Sequence, residues 1–242
     1  HAGVMCPSYM GTLEEMHSTR GRARLLFEMM HGMTHPEDPL QDGWKSEAVR
    51  EALDLCLACK GCVRDCPVKV DMATYKAEFF HHYYRGRLRP RPAYSMGLIY
   101  WWARLASLAP SLVNAVFETK GLRDVVQWLG GISRERRFPR FAPRSFKAEF
   151  RRRGPRHPSA GKVLLWPDTF NNYWQPDNLK AALNVLEAAG FEVIVPERSL
   201  CCARPLFAWG MLKLARKQLD TCLGALSPWL DQGIPLVGLE PA

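Results

Sequence analysis

The sequence contains no run of about 20 apolar residues, the length a helix needs to cross a bilayer. Its nearest approach, GLIYWWARLASLAPSLVNAVF from Gly97 to Phe117, is broken by Arg104 and Pro110. Two short helices packed on the protein, or an interfacial helix, fit that stretch better than a span. Close-set cysteines in a chain of 242 residues with no signal-peptide pattern in it are not expected to form a disulfide framework. There is no G-x-G-x-x-G fingerprint, so nothing here marks a dinucleotide site. Acidic residues are scarce, 24 against 33 Lys and Arg, which leaves a net charge of +9. No nucleic-acid recognition module accompanies that charge, and no nucleic-acid partner is expected. The expectation is a cytoplasmic protein, soluble or peripheral to the inner face of the membrane.

What the chain does have is a hydrophobic content of 47%, enough for a real core in one large or two ordinary domains. It also has four cysteines in a tight run. Cys56, Cys59, Cys62 and Cys66, followed by Pro67, are spaced C-x2-C-x2-C-x3-C-P. Bacterial ferredoxins hold cubane iron-sulfur clusters with that run, and its last cysteine commonly serves a different cluster from the first three. Structural zinc uses two C-x2-C pairs set a dozen or more residues apart, which is not the pattern here. The first three cysteines therefore need an outside partner, for which Cys6, also followed by proline, is the candidate. Cys66 points to a second 4Fe-4S cluster. Because the chain begins at His1 without an initiator methionine, it is expected to be an internal fragment, with the other ligands of that second cluster upstream.

The spacing of apolar residues and caps predicts helices around this run. Ser18 or Thr19 can cap RGRARLLFEMMHG, Ser46 can cap SEAVREALDLC, and Asp71 can cap MATYKAEFFHHYYRG. His81 and His82 are adjacent on the last of these, about 100° apart, and so do not share a ligand direction. Of Arg20, Arg22 and Arg24, mostly a polar face, one could donate to cluster sulfur or to a bound carboxylate. From Arg134 to Arg156 ten basic residues stand against Glu135 and Glu149. That stretch reads as a solvated Pro/Arg-rich linker, or else as a docking surface for an acidic redox partner or an anionic membrane face.

Beyond it, GKVLLWP, QPDNLKAALNVLEAAG and FEVIVPE form a βαβ pattern. A long helix from about Pro205 to Leu230 and a third strand, IPLVGLE, follow. Parallel strands would bring three loops to one sheet edge, where open α/β sheets bind ligands. These loops are Asp168 to Asn171, Ser199 to Cys202, and Glu240-Pro241-Ala242. The adjacent Cys201 and Cys202 read there as a metal or cluster site, whereas Cys222, mid-helix, reads as core.

Three segments, MCPSYMGTLEEMHSTRGRARLLFEMM, LDLCLACKGCVRDCPVKVDMATYKAEF, and VLLWPDTFNNYWQPDNLKAALNVLEAAGFEV with LCCARPL, together resemble the iron-sulfur part of FAD-linked D-2-hydroxyacid dehydrogenases. This family includes the glycolate oxidase iron-sulfur subunit and the D-lactate and D-2-hydroxyglutarate dehydrogenases, often as fused FAD and Fe-S polypeptides. The resemblance implies an α+β multidomain chain. Residues 1–92 would be an all-α ferredoxin-like 4Fe-4S domain, 93–158 a helical segment and basic linker, and 159–242 a truncated α/β parallel-sheet cysteine-rich domain of Cys-Cys-Gly type. Carried over by residue, Cys6, Cys56, Cys59 and Cys62 would hold one 4Fe-4S cluster, Cys66 would belong to another, and Cys201 and Cys202 would be the Cys-Cys of the second domain. Ala203 stands where that motif has glycine. The implied function is electron relay from reduced FAD, bound upstream, to a quinone or other acceptor. The rival readings are a heterodisulfide-reductase-like enzyme and a stand-alone ferredoxin-like carrier.

Overall fold

A computed structural model describes residues 6–35, 37, 40–156 and 160–240. It divides into two compact units, His1–Arg89 with Leu206–Lys213, and Pro90–Pro205 with Leu214–Ala242.

The first unit carries α1 (Pro7–Thr12), α2 (Thr19–Gly32), α3 (Glu47–Asp54), α4 (Gly61–Asp65) and α5 (Met72–Tyr83). Three of these start where short polar side chains satisfy the free amides of a first turn: Ser18 accepts from Gly21 N–H, Ser46 from Val49 N–H, and Asp71 from Thr74 N–H. Each such cap stabilises a helix by about 1 kcal/mol. Helices α2, α3 and α5 bury Met29, Val49, Leu53, Met72, Phe79, Phe80 and Tyr83 together, and Cys56 and Cys62 pack at the margin of that core. Close approach is set at Gly21, where a Cβ would stand 2.0 Å from the Glu15 carbonyl oxygen. Only glycine lets α2 lie against the short 3-10 turn Glu15–His17.

The second unit opens with α6 (Arg91–Ser95), α7 (Ile99–Ala106), α8 (Pro110–Glu118), α9 (Lys120–Gly130) and α10 (Phe146–Arg153). There follow β1 (Lys162–Trp166), α11 (Thr169–Tyr173), α12 (Pro176–Ala188) and β2 (Glu192–Ile194). Next in the chain come α13 (Arg204–Ala208), which from Leu206 on belongs to the first unit, then α14 (Leu212–Leu230), which returns to the second at Leu214, and β3 (Leu236–Gly238). The strands form one parallel sheet in the order β2-β1-β3, with Leu164 opposite both Ile194 and Leu236. Central β1 is buried on both faces, as parallel strands are. Val163 and Leu165 face Phe146, Leu179 and Leu183, and Leu164 faces Leu200, Cys222, Leu226 and Ile234.

Two local expectations change. The basic stretch is not simply a solvated linker: Phe141 and Phe146 are buried, Ser145 caps α10, and buried Lys147 donates to the Glu197 carbonyl at 2.6 Å. Arginines hid this amphipathic turn, because their charges dominate the composition while two rings and a lysine stem do the packing. The long helix from Pro205 to Leu230 is two helices, parted around Gly210. Gly210 has φ of 64°, and a Cβ there would stand 2.5 Å from the His81 amide nitrogen. Left-handed backbone at this contact ends the helix regardless of the apolar periodicity around it.

Two outcomes are expected. Gly210→Ala should lower stability by about 3 kcal/mol, from positive-φ strain and backbone overlap together, seen as a lower urea midpoint at unchanged slope. Burial, reinforced by Arg151 and Arg104, pulls Lys147 down to about 8. Its folded pKa thus lies below its unfolded value near 10.4, so the unfolded state binds the extra proton between those values and this residue adds stability as pH rises through that window. Wild type should gain on Lys147→Met in urea melts between pH 7 and pH 10; a constant difference would contradict the burial of a charged amine.

Candidate metal centre

Chain reversal between α3 and α4 shapes the first site. Cys56 lies two residues past the end of α3, and the next residues alternate in hand: Ala58 has φ of 50° and Lys60 φ of 57°. Left-handed backbone at non-glycine residues costs about 1–2 kcal/mol each. Here it flanks Cys59 and folds the run back on itself. Cys56, Cys59 and Cys62 line one pocket together with Cys6, which enters from the N-cap position of α1. Ser8, Arg22, Lys60, Met72 and Ala73 complete its wall. All these cysteines are free thiols.

The electrostatics of this pocket are cationic. Arg22 is 1% exposed, and its guanidinium donates to the Ala52 carbonyl at 2.7 Å, to Ser8 Oγ at 2.7 Å and to Cys6 Sγ at 3.4 Å. Lys76, also buried, donates to the carbonyls of Asp54 and Cys56 at 3.2 and 2.6 Å, and burial lowers its pKa. Thr19 Oγ1 lies 3.1 Å from Cys6 Sγ. Burial holds the Cys62 thiol above its ordinary pKa, with Asp71, Cys56 and Cys6 adding to the effect.

Cys66 does not line the pocket. Its sulfur accepts backbone N–H groups from Val70, Val68 and Lys69 as the chain turns through Lys69 at φ of 52°, and these amides lower its pKa.

Among the described residues no group of three or more His, Cys, Asp or Glu is arranged to hold a single metal ion. A lone tetrahedral ion at about 2.3 Å from each sulfur would need the thiolates gathered within one coordination sphere. A cubane distributes its iron atoms over separate corners and so takes its thiolates from around a pocket wall. The donor set fits that group: four free thiols, a margin of apolar core, and two buried cations whose donors reach carbonyls, a hydroxyl and sulfur rather than a carboxylate.

The second site lies at the C-terminal edge of the sheet. Asp168, Thr169 and Phe170 after β1, Cys201 and Cys202 after β2, and Gly238, Leu239 and Glu240 after β3 line one pocket with Trp166, Ile99 and Arg204. Asp168 caps α11 through the N–H groups of Phe170 and Asn171. Pro241 and Ala242, expected at this edge, lie outside the described residues. The hydrogen bond between the two thiols, with burial, raises the pKa of Cys201, and the same bond lowers that of Cys202. Ala203 takes φ of 62° although it is not glycine, and it is fully buried. The left-handed turn after the paired cysteines is therefore held at about 1 kcal/mol of strain. Cys222 belongs to the core below, where burial and the nearby charge of Cys202 push its thiol up to about 11.

His81 and His82 diverge, the first reaching the Gly210 carbonyl at 3.3 Å and the second Glu78 at 3.0 Å. Two residues of the sites had no sequence signal of their own, namely Lys76 and Trp166, whose indole N–H is buried without a partner. Arg22 did have one. Arg20 and Arg24 are four apart and share a helix face, which leaves Arg22 on the opposite side.

No family model and no solved structure matches the chain. It is 26% identical to a D-2-hydroxyglutarate dehydrogenase of Pseudomonas putida, over 99% of this chain and 27% of that protein. Identity is 24% to the D-2-hydroxyglutarate dehydrogenase of Escherichia coli, over 98% of this chain and 27% of that protein. It is 27% to a probable glycolate oxidase iron-sulfur subunit of Bacillus subtilis, over 81% of this chain and 46% of that protein. The chain thus spans about a quarter of the length of these dehydrogenases. It is similar to D-2-hydroxyglutarate dehydrogenases along nearly its whole length and to a glycolate oxidase iron-sulfur subunit along most of it.

Proposed function

We propose that this chain is the iron-sulfur electron-transfer portion of a flavin-dependent 2-hydroxyacid dehydrogenase, of the D-2-hydroxyglutarate, D-lactate or glycolate class. The observation that carries the reading is the convergence of Cys6, Cys56, Cys59 and Cys62 on one pocket beside buried Arg22. A 4Fe-4S cluster held by those four sulfurs would take up and release single electrons. The helical unit would then be ferredoxin-like, and the sheet unit part of a Cys-Cys-Gly-type domain with Cys201 and Cys202 as its metal ligands. Cys66, outside the first pocket, is assigned to a second cluster completed by residues beyond this chain. Oxidation of the hydroxyacid itself is assigned to an FAD-binding domain or subunit, since the chain has no dinucleotide fingerprint.

The residues have definable tasks. The apolar core formed by Met29, Leu53, Met72 and Phe80 keeps water from one side of the pocket, while exposed Cys59 leaves the other near the surface, where an electron can leave. Ala58 and Lys60 hold the loop in the shape that points three cysteines one way.

The acceptor in this reading is a quinone or another oxidant, and helices α7 to α9 present an exposed apolar surface suited to peripheral membrane contact. Among the described residues no helix is long and apolar enough to cross a membrane. Helix α9 is nevertheless inverted: Leu122, Val125, Trp128 and Leu129 are exposed while Gln127 is buried. Trp102, Leu105 and Leu108 are also exposed, and Arg91, Arg104 and Arg123 lie in the same helical segment. Exposed tryptophan and leucine with flanking arginine match an anionic lipid interface.

Anaerobic reconstitution with iron and sulfide should give a brown protein with about four iron and four sulfide per cluster, and the reduced 4Fe-4S EPR signal of the first site should be lost in Cys59→Ser. Bound zinc without sulfide would overturn the electron-transfer reading. In flotation assays the chain should associate with phosphatidylglycerol-containing vesicles, and Trp102→Ser/Trp128→Ser should weaken that association about tenfold or more, given ~25 cal/mol per Å² of buried apolar surface. Absence of flotation would assign the stripe to a protein partner.

A further inference from the structure

We infer that Arg22 and Lys76 form a cation pair that sets the reduction potential of a cluster held by Cys6, Cys56, Cys59 and Cys62. The inference rests on the cluster reading proposed above and assigns these two side chains a positioning and electrostatic role toward it.

Both cations converge on one place, the C-terminal end of α3. Arg22 binds the Ala52 carbonyl, and Lys76 binds the carbonyls of Asp54 and Cys56. A helix end leaves such carbonyls without partners, and cations are stabilised there by the helix dipole. If that were their whole purpose, neither would need to be buried. A half-buried lysine does the same work elsewhere in this unit: Lys45 donates to the carbonyls of His82, Tyr83 and Arg85 at 3.0, 2.8 and 2.8 Å, at a site away from the pocket.

Burial of a cation without a carboxylate costs several kcal/mol unless a negative group stands near. Among the described residues neither Arg22 nor Lys76 pairs with a carboxylate. Sulfur stands near both: Arg22 Nη1 lies 3.4 Å from Cys6 Sγ, and Lys76, tethered to the carbonyl of Cys56 and lying over the Phe80 ring, 5.2 Å from its centroid, feels the charge of Cys56 first and of Asp54 second. Four thiolates around a cubane carry net negative charge, and one more electron adds to it. Fixed positive charge, Arg22 in the pocket wall and Lys76 buried behind the Cys56 carbonyl, therefore favours the reduced form and raises the potential, the lever of net charge and hydrogen bonding to sulfur. Arg22 adds a second effect, since its fork also holds Ser8 and so fixes the segment that presents Cys6.

The test is a redox titration, followed by EPR, of the anaerobically reconstituted chain as wild type, Arg22→Gln, Arg22→Lys, Lys76→Met and Lys45→Met, with iron and sulfide measured for each. Lys76→Met and Arg22→Gln are expected to shift the midpoint to more negative values with iron content retained. Arg22→Lys, which keeps the charge, should remain closer to wild type than Arg22→Gln. Lys45→Met should lower stability and leave the midpoint unchanged. Unchanged midpoints in both Lys76→Met and Arg22→Gln would overturn the inference while leaving the cluster reading intact. If Arg22→Gln does not fold, Lys76→Met decides alone. Absence of iron and sulfide from wild type would overturn the cluster reading, and this inference with it.

Discussion

The guanidinium of Arg22 is the interaction on which the first unit turns. One planar fork, fully buried, joins the Cys6 segment, helix α2 and the last turn of α3 through Ser8, Cys6 and Ala52. An apolar residue at that position would take this donor from the Ala52 carbonyl and untie Ser8 and Cys6 from α3, although Ser8 would keep the His17 carbonyl and Cys6 would keep Thr19. Holding a charge there is costly in isolation and becomes favourable only when a negative group shares the space. The same logic explains Lys76, and it ties the architecture of the helices to the chemistry of the thiols. Local devices support this arrangement: three helix caps fix where α2, α3 and α5 begin, Gly21 lets α2 approach the preceding turn, and two left-handed residues curl the cysteine loop.

In the second unit the organising constraint is the parallel sheet. A strand buried on both faces must be apolar throughout, and Val163, Leu164 and Leu165 are. Parallel order then delivers the ends of β1, β2 and β3 to a common edge, so Asp168, Cys201, Cys202 and Glu240, far apart in sequence, line one pocket. The retention of a left-handed turn at Ala203, with a side chain that disfavours it, shows that the backbone geometry after the paired cysteines is held by its surroundings rather than by glycine's freedom.

Much of this was legible in the residues. Caps announced themselves through Ser18, Ser46 and Asp71, and the βαβ period marked β1, α12 and β2, because local hydrogen-bonding and apolar periodicity act over a few residues. The cysteine spacing restricted the chemistry of the first site before any geometry was known. Less legible were the packed part of the basic stretch, where Phe141, Phe146 and Lys147 were outnumbered by arginines, and the break at Gly210, which depends on contact with His81 and Phe80 more than a hundred residues earlier.

By itself, the sequence determined the thiol donor set, the helical and strand periods, and the excess of positive charge, since all of these are properties of residues and their near neighbours. Only the tertiary structure decided that Cys6 shares a pocket with the run while Cys66 stands outside it. It alone brought Arg22 to Cys6 Sγ, buried Lys76, and turned the apolar face of α9 outward. Each of these depends on which surfaces meet, and that is settled by packing between segments distant along the chain, where no local propensity acts.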